Sequence, residues 1–253
     1  MDPGVRTPLI DFFRRGDVAQ DARLLAARGG FVPRALEQLA LLLLLSDDPD
    51  VLVARTAAET IDGLPTAAVA RFLGRKEVPQ AMRDFFAGRG VQPDTTVEDE
   101  GDGPLLEAGD SSGDEATTEA DPQVLSTLPV LDRMKLAMRG TREQRAQLIR
   151  DSNKLVAVGV LSSPKLTDGE VEGFAKMANL SEDVLRIIAM NRGWVKNYNV
   201  VMALTRNPKT PVALAMGFLQ RLNARDLKMV AIDRNVAEPV RLAARKFVSK
   251  GPQ

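Results

Sequence analysis

Neither histidine nor cysteine occurs among the 253 residues. Without cysteine there is no disulfide, no thiolate nucleophile and no Cys-ligated zinc or iron–sulfur site. Without histidine the commonest general base and the commonest metal ligand are gone. No enzymatic activity is therefore expected, and no cofactor or metal. Aromatics are scarce at 4%, with one Trp and one Tyr, so the core must be built from small and aliphatic side chains on helices. Long hydrophobic runs are missing too. The most apolar window, LALLLLL at 39–45, is far shorter than the roughly 18–20 residues a membrane span needs and reads as a buried helix. The N-terminus, MDPGVRTPLIDFF, does not follow the positive-then-apolar pattern of a signal peptide, and a cytoplasmic location is the default expectation.

The formal net charge is zero, with 34 basic and 34 acidic residues, but the distribution is uneven. Residues 1–93 carry 12 of each sign, residues 94–130 carry 11 acids and no base, and residues 131–253 carry 22 bases and 11 acids. The middle stretch is rich in Gly, Asp, Glu, Ser and Thr and poor in large apolar groups, so it cannot offset the entropy of ordering. It reads as a disordered acidic linker, 92–128, between a helical block at 1–91 and a basic helical block at 129–253.

In the first block prolines keep time: Pro33, Pro49, Pro65 and Pro79 each precede an apolar-periodic run, namely RALEQLALLLLL, DVLVARTAAETI, TAAVARFL and QAMRDFF. Proline suits a first helical turn, where its missing N–H has no partner to lose. The runs predict short helices of about 8–13 residues, none able to bury its face alone. An amphipathic segment from Val18 to Ala27 precedes them.

The second block repeats itself. SPKLTDGEVEGFAKMAN (163–179) lies over NPKTPVALAMGFLQRLN (207–223) at an offset of 44, pairing Pro164 with Pro208, Lys165 with Lys209, Phe174 with Phe218 and Asn179 with Asn223. Beyond a two-residue deletion, LRIIAMN (185–191) lies over LKMVAID (227–233). The spacing predicts three-helix units at 129–163, 164–207 and 208–249. Thr167 and Ser181 are expected as caps, and Asn179, Asn191, Asn223 and Asn235 as left-handed helix exits. A turn of fixed geometry makes successive units stack with the same rotation, so the expected fold is an all-α, short-helix solenoid.

These residues resemble the HEAT, armadillo and leucine-rich-repeat-variant group of α-solenoids. NPKTPVALAMGFLQRL followed by DLKMVAIDRNVAEPVRLAARKFV is similar to the leucine-rich-repeat-variant pattern, and DDPDVLVARTAAETIDGLP to a HEAT second helix. The resemblance implies an architecture and a group that hosts scaffolds, transport receptors and a few nucleic-acid enzymes. The iron–sulfur centre of the nitrogen-fixation branch needs cysteines this chain lacks.

Candidate binding residues follow from composition. Trp194 and Tyr198 stand four apart with Arg192 and Lys196 beside them, which on one helix would make an aromatic platform flanked by cations. The same rings equally suit packing between units with their polar tips at the surface. Arg221, Arg225 and Lys228 recur at i, i+4, i+7 and would form one exposed stripe. A basic block of this size attracts acidic protein or phosphate. It can also be masked by the chain's own linker, since some 35 flexible residues span about 30–35 Å. Asp151, Ser152 and Lys154 read as a helix-ending turn rather than a nucleophile pair. Asp47, Asp48 and Asp50 lack the glycine of a calcium loop, and ARGGF (27–31) lacks the lysine of a phosphate loop. The expected function is a non-enzymatic protein–protein interaction scaffold with a protein partner. The alternative is a nucleic-acid (polyanion) binding module acting through the basic block. An enzyme like the HEAT-like DNA-repair glycosylases stands third.

Overall fold

Proline, Asx and hydroxyl residues open most of the described helices of this chain. In the computed structural model, which describes residues 2–16, 18–30, 32, 34–95, 103–106 and 122–250, Pro65, Pro79, Pro129 and Pro211 sit at N-cap positions with extended ψ. That is one residue before the expected first-turn position. It suits proline equally, because the fixed φ fits a cap and the cap's N–H is not used by the helix. All regular structure among the described residues is helical.

Two compact units account for the packing: residues 1–141 with 153–164, and residues 142–152 with 165–253. This grouping differs from one that divides the chain at the acidic segment, because the helices at 122–127, 130–139 and 154–161 all group with the first unit. Residues 154–161, KLVAVGVL, are buried from Leu155 through Leu161 and pack with the first unit.

The first unit holds α1 (Pro8–Arg14), α2 (Gln20–Ala27), α3 (Ala35–Leu45), α4 (Val51–Asp62), α5 (Thr66–Leu73), α6 (Gln80–Ala87), α7 (Pro122–Thr127), α8 (Val130–Arg139) and α10 (Lys154–Leu161). At its centre α3 is buried on every side, as the apolar run at 39–45 predicts, with α1, α2 and α4 against it. Helix α10 packs on α1 and α8. A Cβ on Gly159 would lie 2.6 Å from Met134 Sδ, so any larger residue there would make the buried Met134 side chain shift. Ser162 Oγ accepts from Leu9 N at 3.1 Å and Ser163 Oγ donates to Met138 O at 2.8 Å, fixing the exit of α10.

Parts of the expected acidic linker belong to this unit. Asp94 N donates to Ala70 O at 2.8 Å. The backbone there passes so near α5 that a Cβ on Gly74 would meet Asp94 O at 2.1 Å. Leu105 and Leu106 bond to Gln38, and 122–127 form α7 with Leu125 buried. A linker over the whole of 92–128 is corrected accordingly: a few leucines and backbone bonds suffice to order these pieces. The remainder, 96–102 and 107–121, lies outside the described residues.

The second unit holds α9 (Arg142–Leu148), α11 (Asp168–Lys176), α12 (Glu182–Met190), α13 (Tyr198–Arg206), α14 (Val212–Phe218), α15 (Ala224–Ile232) and α16 (Glu238–Lys250), with 3-10 turns at Trp194–Lys196 and Leu219–Arg221. The sequence repeat is visible as repeated structure. Helices α11 and α14 begin at 168 and 212, and α12 and α15 at 182 and 224, the spacing read from the sequence. Phe174 and Phe218 are both buried, as are Ile188 with Val230 and Ala189 with Ala231.

The exits of α12 and α15 repeat as well. Asn191 and Asp233 end α12 and α15 with φ, ψ of −78°, 110° and −70°, 115°. Each carboxamide or carboxylate oxygen accepts the N–H two residues on, at 2.9 and 3.0 Å. The left-handed exit expected of Asn191 is thus replaced by an extended residue closed by its own side chain, an Asx turn. Asn223 is no exit at all: it caps α15, accepting from Asp226 N at 2.8 Å. Thr167 and Ser181 cap α11 and α12 as expected, accepting from Glu170 N and Val184 N.

Candidate functional site

The residues singled out for binding fall into two clusters in the second unit, but not on the helix faces their spacing suggested. Trp194 opens the 3-10 turn and Tyr198 opens α13, with Asn197 extended between them at φ −73°, ψ 119°. They therefore do not share one helix face. Likewise Arg221 ends a 3-10 turn, and Leu222 is extended before Asn223 caps α15. The expected stripe of Arg221, Arg225 and Lys228 is broken at Leu222. In both places a cap consumes the residue that a continuous helix would need.

The structure joins these segments another way. The Tyr198 hydroxyl donates to the Asp226 carboxylate and accepts from Asn223 N at 3.2 Å. The Arg221 guanidinium donates to Val195 O and lies over the Phe218 ring, 5.9 Å from its centroid. Burial and the bond to Asp226 push the Tyr198 phenol above its ordinary pKa. Tyr198 thus works partly as a tie between the repeats. Tyr198→Phe is expected to cost roughly 0.5–1.5 kcal/mol, measured by urea unfolding. An unchanged midpoint would show that the tie contributes nothing.

Helix α15 keeps an unbroken face of its own. Arg225, Lys228, Met229 and Ile232 are exposed at i, i+3, i+4 and i+7, with Ile232 at 75% relative exposure. Among the described residues neither Arg225 nor Lys228 has a carboxylate partner. The matching face of α12 holds Asp183, Arg186, Ile187 and Met190, where Arg186 pairs with Glu182 at 2.6 Å. Arg192 and Lys196 are exposed at the turn between α12 and α13.

A cleft of about 580 Å³ lies on the same unit, lined by α11, α13 and the turn from α15 to α16. Lys176 reaches Glu172 at 2.5 Å, and Asn199 donates to the same carboxylate at 3.3 Å. Its Lys176 partner holds the Glu172 carboxyl below the usual range. Arg206 bonds Asp233 through two nitrogens at 3.0 and 2.7 Å. Burial opposes ionisation of Asp233, but the Asn235 N–H and Arg206 outweigh it and hold that carboxyl low.

Behind the cleft Asn207, 6% exposed, donates to Ala175 O and Met177 O at 2.8 and 2.9 Å and accepts from Lys209 N at 3.0 Å. This amide pins the exit of α13 to the exit of α11. With both carboxylates paired, the wall is near neutral, with Met202 and Ala203 between amides and ions. Sequence reasoning missed the cleft because its residues come from three separate elements. The signal that could have found it was Asn207, which opens the second copy of the repeat.

Among the described residues no three acids gather as a metal site, and no helix is long and apolar enough to cross a membrane. Compared with known proteins, the chain matches no family model, no curated protein and no solved structure.

Proposed function

We propose that the chain is a non-enzymatic protein-interaction scaffold, an α-solenoid of the HEAT, armadillo or leucine-rich-repeat-variant kind, whose second unit docks an acidic, amphipathic partner segment. One observation carries the reading. A pair of helices recurs with starts at 168 and 182 and again at 212 and 224, and the second pair presents Arg225 and Lys228 in line with exposed Met229 and Ile232. Unpaired cations beside apolar side chains on one face fit acids beside apolar side chains on another, which steer and specify association.

Selection of displayed peptides on the intact chain tests this. Peptides that interleave Asp or Glu with Leu, Met or Phe should be enriched. Their affinity should fall at least tenfold with R225E/K228E or with Ile232→Asp. Peptides without acids, or undiminished binding by those variants, would overturn it. Trp194→Ala distinguishes a platform at the 3-10 turn from this face.

A second reading, polyanion binding, is favoured by Arg234, Arg241 and Lys246, which also lack a carboxylate partner among the described residues. It predicts that a labelled single-stranded oligonucleotide binds the intact chain with log affinity falling linearly in log salt, at about 0.7 per phosphate contact. Self-masking by the acidic segment predicts that deleting 107–121, while keeping 103–106, strengthens either interaction. No change on deletion would discard it.

A further inference from the structure

Helix α2 ends in a Schellman turn. Gly29 N donates to Ala26 O at 2.9 Å and Gly30 N to Leu25 O at 3.0 Å, with Gly29 at φ +77°. The turn leaves Gly29 O pointing away from its own helix, and Gln38 Nε2 of α3 donates to it at 2.8 Å. Gln38 is 1% exposed, in a helix otherwise wrapped in leucine, so every bond its amide makes must come from protein.

The remaining bonds come from two residues of the acidic segment. Gln38 Oε1 accepts from Leu105 N at 2.8 Å and from Leu106 N at 3.1 Å, and Nε2 donates to Leu106 O at 2.9 Å. Toward Leu106 the side chain acts as the neighbouring strand of a sheet would, exchanging both bonds with one residue's N–H and C=O. The Leu106 side chain lies over Gly29, where a Cβ would come within 3.2 Å of its Cδ1. The backbone is therefore read by an amide and the side chain by a glycine.

We propose that Gln38 and Gly29 form a peptide-binding site for a bent Leu-Leu segment, occupied in cis by residues 103–106, which ties the acidic segment to the first unit. This goes beyond the scaffold reading, which concerns the second unit, and either can fail alone. Because the recognition is mostly of backbone, any segment that can bend to aim two successive N–H groups at Gln38, with Leu at the second contact position, can take the place of 103–106. Sequence places acids on both sides of the anchor, Asp102 before it and Glu107 after, so the anchor divides the acidic segment into two arms.

Two measurements test the site. In the intact chain the Leu105 and Leu106 amides should exchange at least tenfold more slowly than unprotected amides. Gln38→Ala should abolish that protection; free exchange in the intact chain would overturn the proposal. In the L105D/L106D chain, a labelled peptide of sequence GDGPLLEAG should bind at least tenfold more tightly than to the intact chain. It should also raise the melting temperature of that variant, and Gln38→Ala in the same background should remove both effects. A folded L105D/L106D chain that ignores the peptide, or binds it equally without Gln38, would reduce the contact to loop packing. If the variant does not fold, the exchange measurement on the intact chain decides alone.

Discussion

Glu170→Ala is expected to cost about 3–5 kcal/mol, the usual loss when one member of a buried ion pair is removed. The side chains of Arg145 and Glu170 are 5% and 4% exposed. Arg145 Nε and Nη2 donate to the two oxygens of Glu170 at 2.9 and 3.1 Å, a two-pronged grip, and Nη2 also reaches Lys165 O at 3.2 Å. Glu170 closes the capping box of α11 as well, accepting from Thr167 N and Thr167 Oγ1 at 3.1 and 2.9 Å. Removing the carboxylate takes the two-pronged grip from a buried guanidinium and undoes the cap together. The double variant R145M/E170L, which removes both charges and keeps the volume, should recover a large part of that loss. Urea unfolding of the two variants checks this. A double variant as unstable as the single one would mean that the cap, and not the ion pair, dominates.

The same residue sets an acid limit. Burial disfavours the charged Glu170, but its bonds to Thr167 and Arg145 outweigh burial and hold its pKa below the ordinary value of 4.5. A carboxyl depressed in the folded state contributes stability that is whole above its unfolded pKa and is lost as pH falls through the folded one. Between pH 7 and 5 its contribution should be flat, and below about 4.5 it should decline. Glu170→Gln should flatten that decline relative to the intact chain.

How much of this was legible in the sequence depends on range. The 44-residue and 42-residue offsets were local patterns, and the helices at 168 and 212, and at 182 and 224, reproduce them. Periodicity along a helix could not show that Asn197 and Leu222 are extended, because one residue in the wrong conformation looks no different in composition. That single fact separated Trp194 from Tyr198 and Arg221 from Arg225. Nor could composition show that Gln38, an ordinary polar residue in an apolar run, needs Leu105 and Leu106, which lie 67 and 68 positions away. Long-range polar satisfaction is invisible until a fold brings the partners together. An average over the acidic stretch cannot single out Leu105 and Leu106.

Leu42→Ala should be the counterpart of Glu170→Ala in the first unit, at about 2–5 kcal/mol, from lost transfer energy plus the cavity left behind. The apolar run too short to span a membrane becomes α3, where Leu39, Leu41, Leu42 and Leu43 are all 0% exposed. An amphipathic helix can relax toward solvent around a truncated side chain, but a helix enclosed on all sides cannot. The cost at Leu42 should therefore lie toward the upper end of that range. Val51→Ala, at a position 80% exposed, is the control and should stay within about 0.5 kcal/mol of the intact chain. Urea midpoints of the two variants provide the comparison. Equal midpoints would mean that α3 is not the centre of the first unit's core, and the Gln38 site built on it would lose its rigid support.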